Sequence, residues 1–272
     1  MATSHQLSVG PLPAWLDAAR FLGLSAAGLS STPEGQQRWV GALSRPEAAD
    51  VQARLRGLGF DGQAVHVQVQ PLLSRSAVRA ARTADARRRR EVTPGFADQR
   101  ARWDEEGRFS LTPDVLALWM GQAAQKRRVV DACCGVGGNT IGFARAGCEV
   151  VAIERDPRRL ALAKHNAAVY GVQDRVRFLL GDACTLLPAL KTELVFLDPP
   201  WGGAFDRVRM ELKDLPLLMP LLAAVQHVPE VWLKLPPSFD CRQLPWARPM
   251  AVFGRAAGDY RRVKFLWLRG QP

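Results

Sequence analysis

The 272-residue sequence is poor in several residue types, and each shortage narrows what the chain can be. Its five cysteines, Cys133, Cys134, Cys148, Cys184 and Cys241, form no Cys-x-x-Cys pair and are odd in number. That points away from a zinc site and from a secreted disulfide framework, and toward a reducing compartment. The four histidines, His5, His66, His165 and His227, are scattered without ligand spacing, so no metal is expected. No run approaches 18 uninterrupted apolar residues, and Met1 to Gly10 lacks a basic segment followed by an apolar one. The expectation is a cytoplasmic protein with no membrane contact. Lysine is missing from residues 1–110, which carry fifteen arginines, and all six lysines lie between Lys126 and Lys264. No internal repeat is present, and no low-complexity segment beyond one arginine run.

What the chain does have is positive charge, +11 with a pI near 10.2. This balance favours polyanionic partners such as nucleic acid. Residues 1–110 set fifteen arginines against eleven acids, and the remainder sets twenty-two basic residues against fifteen acidic ones, so both parts share it. In the first part, 13–30, 46–57 and 74–90 read as helices. The Asp61-Gly62 step marks a turn, and Val65, Val67 and Val69 alternate with polar residues like a short strand. Arg75, Arg79 and Arg82 share a helical face, and Arg87 to Arg90 follow as a run. The pattern suits a surface tracking phosphates as well as it suits a solvated, mobile linker helix.

From residue 112 onward, apolar runs of strand length alternate with helical segments, the signature of a parallel sheet with crossover helices. A helix over 112–125 opens at Thr112-Pro113. Strands are expected at about 128–132, 148–154, 175–180, 193–198 and 230–235, then at 249–254 and 262–268, joined at Ala256 to Asp259. The fold class is therefore α/β, a Rossmann-like, doubly wound, seven-stranded sheet.

The first chemical motif runs from Val129 through Asp131, Gly135, Gly137 and Asn139 to Thr140, where an apolar strand enters a glycine loop that opens a helix. Glycines admit close backbone approach, and helix-start N–H groups favour a carboxylate. Glu154, at the end of the next strand, is placed to accept both hydroxyls of a ribose. The loop is shorter than Gly-x-Gly-x-x-Gly and is preceded by an acid, which suits a nucleoside with an amino-acid tail better than a pyrophosphate. S-adenosylmethionine fits, its ammonium meeting Asp131. Asp182, in Gly181-Asp182-Ala183 after the third strand, can accept from an adenine amino group.

The fourth strand ends in Asp198-Pro199-Pro200-Trp201-Gly202-Gly203. Two prolines fix φ and remove N–H donors, so the loop offers carbonyl acceptors beside a carboxylate. Such a site wants an NH2 group. Two acceptors holding the protons of a base amine turn its lone pair toward a methyl donor, and Trp201 offers a face for an extruded base. Trp103 and Phe109 read either as pocket-closing or as core residues, Cys133 and Cys134 as small packing residues, and Lys234 as an ordinary strand-end lysine more readily than as a phosphate contact.

These residues resemble the trimethylguanosine synthases, the RNA cap guanine-N2 methyltransferases, over about Arg102 to Gly203. The matching strings are Gly107 to Pro113, Asp131 to Asn139, Ala163 to Gly171 and Pro199 to Gly203. The resemblance implies that Asp131, Gly135, Gly137 and Asn139 line the methionine end of S-adenosylmethionine, Glu154 the ribose, and Asp182 with Ala183 the adenine. Thr112 with Pro113 would form the outer wall, Trp201 would stack the guanine, and Pro199 with residue 198 would hold its N2 amine. Asp198 departs from the family, whose members carry serine there, and is shared with enzymes methylating amines of unmodified bases. The expected partner is RNA, whether ribosomal, transfer or capped, with a guanosine target. DNA adenine-N6 or cytosine-N4 methylation and a non-catalytic RNA-binding role on the same fold are the alternatives. The division expected is a mainly helical accessory domain over 1–85 with a candidate RNA-binding role, an arginine-rich linker and pocket-closing segment over 86–110, and the methyltransferase domain over 111–272.

Overall fold

The structure, a computed structural model, describes residues 4–202 and 205–272 and only the backbone of Glu106, Arg108 and Phe109. The Phe109 side chain, read above either as pocket-closing or as core, and Gly203 of the proline loop lie outside the described parts.

The first part of the chain is a sheet covered by helices and not a mainly helical unit. Its strands are β1 (Ser4–Leu12), β2 (Leu29–Ser31), β3 (Gln37–Ser44), a small hairpin of β4 (Gly59–Phe60) and β5 (Gln63–Ala64), and β6 (His66–Gln70). β2, β3, β1 and β6 pair in that order, all antiparallel. Leu7 and Val9 of β1 are buried between outward polar neighbours, the period-two pattern of a half-covered strand. The helix expected over 13–30 shrinks to α1 (Ala18–Leu22), because Gly23 takes a left-handed conformation and ends it. α2 (Arg45–Leu55) starts at a Ser44/Glu47 capping box, and α3 (Arg75–Arg88) starts where the Ser74 hydroxyl accepts from Ala77 N. Both lie where expected.

The second part begins with α4 (Glu105–Ser110) and α5 (Asp114–Ala123). β7 (Arg128–Asp131), α6 (Gly138–Arg145), β8 (Glu149–Glu154), α7 (Pro157–Val169), β9 (Val176–Leu180) and α8 (Ala183–Leu186) follow. β10 (Leu194–Leu197), α9 (Leu218–Ala224), β11 (Val231–Leu235), β12 (Ala247–Phe253) and β13 (Val263–Gly270) complete it. All seven expected strands are present, ordered β12-β13-β11-β10-β7-β8-β9. β13 runs antiparallel to β11 and β12, and the other pairs are parallel. Every residue of β10 and β11 is buried, which is why β10 reads as an unbroken apolar run and β11 as one interrupted only by Lys234. One face packs Val195, Leu233 and Leu266 against Leu218 and Leu222 of α9, and the other packs Phe196, Trp232 and Trp267 around Phe143 of α6. Strand order reverses between β7 and β10, which opens a crevice at their carboxyl ends, the ordinary ligand position in such sheets. Among the described residues, no helix is long and apolar enough to cross a membrane.

Contacts far apart in sequence join the two sheets. The Arg20 guanidinium donates to Gly254 O at 3.1 Å and Tyr260 O at 3.0 Å. The buried Asp85 carboxylate takes Arg89 at 2.9 Å and Arg262 at 2.5 Å. Asp259 accepts from Thr93 N at 2.9 Å and Thr93 Oγ1 at 2.7 Å. Asp61, at the turn between β4 and β5, accepts from Trp15 Nε1 at 3.0 Å and Cys241 N at 3.1 Å.

Candidate active site

At the carboxyl end of β7, Gly135 (φ 54°) and Gly137 (φ 92°) take left-handed conformations that turn the chain from strand into α6. A Cβ on Gly137 would lie 3.2 Å from Ala163, so the loop also sits close against α7. Asn166 of α7 clamps it from behind: its Nδ2 donates to Val136 O at 2.8 Å and Arg102 O at 2.7 Å, and its Oδ1 accepts from Arg102 N at 2.7 Å.

Asp131 is fully buried, with Oδ2 accepting from Thr140 Oγ1 at 2.6 Å. Burial pushes its carboxyl up to about 7, partly opposed by the Thr140 bond. Three buried oxygens here lack a protein partner among the described residues: Asp131 Oδ1, Asn139 Oδ1 and Thr112 Oγ1. Buried polar atoms are ordinarily satisfied, and all three of these can accept, so the set complements a group rich in N–H donors. An ammonium is such a group. The residues therefore fit the methionine end of S-adenosylmethionine.

Glu154 ends β8, and its two carboxylate oxygens accept from Gly135 N and Asp156 N, each at 2.9 Å. This fixes the carboxylate and leaves each oxygen a further lone pair for a hydroxyl. Asp182 caps α8 through Cys184 N at 2.7 Å and is exposed, with Ala183 buried beside it. Gly181 N donates to Glu154 O at 3.0 Å, so Asp131, Glu154 and Asp182 follow one another along the carboxyl edge of β7, β8 and β9. Thr112 and Pro113 are buried at the start of α5.

On the other side of the switch point, Leu197 of β10 faces Leu233 of β11, which places Asp198 beside Lys234. Lys234 Nζ donates to Asp198 Oδ2 and to Ser110 O, each at 2.7 Å, and its side chain is 4% exposed. This departs from the reading of Lys234 as an ordinary strand-end residue. The missed signal was topological: strands four and five are neighbours, and both end in residues with chemistry to offer. Asn139 Nδ2 donates to the same Asp198 oxygen at 3.1 Å. Burial raises the Asp198 carboxyl, while the Lys234 charge and both hydrogen bonds pull it back down. Pro199 is buried, and Trp201 is half-buried, its Nε1 donating to Lys234 O at 3.4 Å, with Phe205 6.0 Å away between ring centroids.

Other candidates lie apart from this cluster. Trp103 is 47% exposed and stacks on Phe96 at 6.1 Å. The arginine tract belongs to α3, outside the crevice, and is partly structural, with Arg88 paired to Asp50 and Arg89 to Asp85. Arg75, Arg79, Arg82 and Arg87 are exposed and make no ion pair among the described residues. His5 and His165 face backbone carbonyls of Pro71 and Arg100.

A family model described as RNA cap guanine-N2 methyltransferase matches residues 126–262, just over half of the chain. The chain belongs to the RNA cap guanine-N2 methyltransferase family. The cofactor of this RNA cap guanine-N2 methyltransferase family member is S-adenosylmethionine. The chain is similar to the trimethylguanosine synthase of Schizosaccharomyces pombe, 39% identical over 37% of this chain and 46% of that protein. It is also similar to the trimethylguanosine synthase of Saccharomyces cerevisiae, 28% identical over 58% of each. A 23S rRNA (uracil(1939)-C(5))-methyltransferase of Acidithiobacillus ferrooxidans is 34% identical over 34% of this chain and 22% of its own. The chain spans about half the length of the two trimethylguanosine synthases. The RNA cap guanine-N2 methyltransferase match covers β7 through the loop before β13 and so includes every residue of the crevice described above except Ser110, Thr112 and Pro113.

Proposed function

We propose that the protein transfers a methyl group from S-adenosylmethionine to an exocyclic amine of an RNA base, guanine N2. One observation carries this reading: Asp198, held at Oδ2 by Asn139 and Lys234, keeps Oδ1 as an acceptor next to Pro199 and Trp201. A base amine is a weak nucleophile because its lone pair is delocalised into the ring. Acceptors on both of its hydrogens, Asp198 Oδ1 and a carbonyl of the proline pair, would turn that lone pair out of conjugation. Trp201 would hold the base by stacking.

S-adenosylmethionine supplies, when bound, an electrophilic methyl group on a sulfonium. Asp131, Asn139 and Thr112 would hold its ammonium end, Glu154 its ribose and Asp182 with Ala183 its adenine, with Gly135, Gly137 and Thr140 shaping the loop and Pro113 the wall. Positive charge developing on the attacked nitrogen would be stabilised by the Asp198 carboxylate, which then takes the proton or passes it to solvent. Most of the rate would come from proximity and orientation.

Methylation at a pyrimidine carbon, the activity in the name of the Acidithiobacillus relative, is disfavoured. It requires a nucleophile that first adds to the ring, and burial raises all five cysteine thiols above their ordinary range. The test is mass spectrometry of nucleosides from total RNA with and without the gene. Loss of N2-methylguanosine supports the proposal; loss of 5-methyluridine, or no change in RNA with loss of a methylated DNA base, overturns it.

A further inference from the structure

A buried ammonium is costly unless its N–H groups are satisfied and its charge is met. Lys234 meets both conditions in the wall of the crevice. Two of its donors reach Asp198 Oδ2 and Ser110 O at 2.7 Å, and the cation lies 5.5 Å from the Trp201 ring centre and 5.6 Å from that of Phe265. Ser110 closes α4, and a cation at a helix C-terminus meets the negative end of the backbone dipoles. The Lys234 carbonyl in turn accepts from Trp201 Nε1. One residue thus touches Asp198, the stacking tryptophan and the segment leading into Thr112-Pro113.

The charge has a definite job in this place. The Asp198 side chain, 11% exposed, shares its surroundings with the carboxyls of Asp131 from β7 and Glu154 from β8, the Cys133 thiol and the neutral Asn139 amide from α6. The opposing cation in this set is Lys234 of β11. A carboxyl in such company without a cation takes up a proton, and a protonated carboxyl presents an O–H donor where an amine needs an acceptor. Lys234 and Asn139 both occupy Oδ2, so the acceptor left over is Oδ1.

We propose that Lys234 is a positioning residue for methyl transfer: by ion-pairing with Oδ2 it keeps Asp198 an acceptor with Oδ1 toward the reacting amine, and by bonding Ser110 it fixes the 105–113 segment as the wall of the pocket. This rests on the amine-methylation reading above, and its test begins with a readout that needs no substrate. Protein labelled with 13C at aspartate carboxyls is titrated by NMR, the Asp198 signal being the one lost in Asp198→Asn. In Lys234→Met the Asp198 midpoint rises by at least one pH unit over the parent. Lys234→Gln, which keeps a donor toward Asp198 and Ser110 but not the charge, shows an upward shift too and carries the test if the methionine variant does not fold.

Single-turnover transfer of a labelled methyl group to RNA from cells lacking the gene gives the kinetic arm. At pH 7 the Lys234→Met rate falls by about 10- to 100-fold, the range for a lost charge acting on a proton-handling group, and recovers as pH rises toward 9. Calorimetric affinity for S-adenosylmethionine measured near pH 9, where Asp131 stays ionised, remains within about threefold, as expected for a side chain that bonds neither Asp131, Glu154 nor Asp182. In an Asp198→Asn background, Lys234→Met costs much less than in the parent, leaving only what the lost Ser110 bond contributes. An unmoved Asp198 midpoint, a rate loss equal at every pH, or additive losses in the double variant each overturn the proposal. If Asp198→Asn itself methylates at the parent rate, the amine-methylation reading has failed instead.

Discussion

Asn139 Nδ2 donates to Asp198 Oδ2 at 3.1 Å, a bond that joins the first turn of α6 to the end of β10. Asn139 also belongs to the set of unpartnered oxygens at the methionine end, so one amide faces both halves of the crevice. The proposed cofactor and base sites would therefore be coupled through a single side chain, and the lesions that separate them must be chosen on either side of it.

On the cofactor side, the Asp131 carboxyl is pushed up to about 7 by burial. The ionised form, present above that value, is the one that attracts an ammonium, so affinity for S-adenosylmethionine is expected to be full above about pH 7. Below it, affinity should fall by up to about tenfold per pH unit. Asp131→Ala should weaken binding by one to two decades, roughly 1.5–3 kcal/mol for a charge-assisted bond, and flatten the pH dependence. Isothermal calorimetry between pH 5.5 and 7.5 decides it, and a flat profile in the parent protein counts against the assignment.

On the base side, Asp198→Ala should leave cofactor affinity nearly intact and lower the single-turnover rate by about two to four decades. Trp201→Ala should instead weaken productive RNA binding by roughly 1–3 kcal/mol, the scale of a lost aromatic stack. Asp198→Ser should retain partial activity if position 198 requires only an acceptor. Rapid-quench assays with saturating cofactor separate these outcomes, and a parent rate for Asp198→Ala would remove the mechanism.

The arginine tract divides into two classes that should respond differently. Neutralising Arg75, Arg79, Arg82 and Arg87 should flatten the salt dependence of single-stranded RNA binding by roughly three units if each meets a phosphate, with cofactor affinity unchanged. Replacing Arg89, which is tied to Asp85, should lower thermal stability as well. Fluorescence anisotropy with a single-stranded RNA at several salt concentrations reads the slope; an identical slope in the fourfold variant places RNA elsewhere.

Asn166→Ala removes three hydrogen bonds, two from part-buried backbone groups of Arg102 and one from the buried Val136 carbonyl. Stability should drop by about 2–4 kcal/mol, since unsatisfied buried groups cost roughly 1–3 kcal/mol each and partial rehydration returns some of it. Denaturant titration measures the drop, and a loss under about 1 kcal/mol would mean that the clamp is dispensable.

How much of this was legible in the sequence depended on whether the signal was local. The strands of the large sheet are covered on both faces, so Leu194–Leu197 and Val231–Leu235 announce themselves as apolar runs. The glycine loop and Asp198-Pro199-Pro200-Trp201 are contiguous and could be read with their chemistry. β1 and β3 were missed although Leu7 and Val9 alternate correctly, because β1 contains Gly10-Pro11 before its last residue and β3 carries Gly41, both of which read as turns. Lys234 was misjudged because its partner is 36 residues away and adjoins it only through strand register. Asn166 fell inside a family-like string, yet nothing local shows that a helix asparagine reaches two backbone segments.

The long-range stitches between the sheets bear on how the molecule comes together. Arg20 with Tyr260, Asp85 with Arg262 and Thr93 with Asp259 span 240, 177 and 166 residues. Contacts of such separation close late, after the cost of ordering the intervening chain has been met. The part of the chain that carries the small sheet thus gains these bonds, made by α1, α3 and Thr93, only when residues 254–262 have found their place. Its loosening and that of the β12–β13 hairpin are then one event: amide hydrogen exchange should report a single protection level for β1 and β13, and a nascent chain halted before residue 254 should leave the α1 and α3 surfaces open to proteases and chaperones.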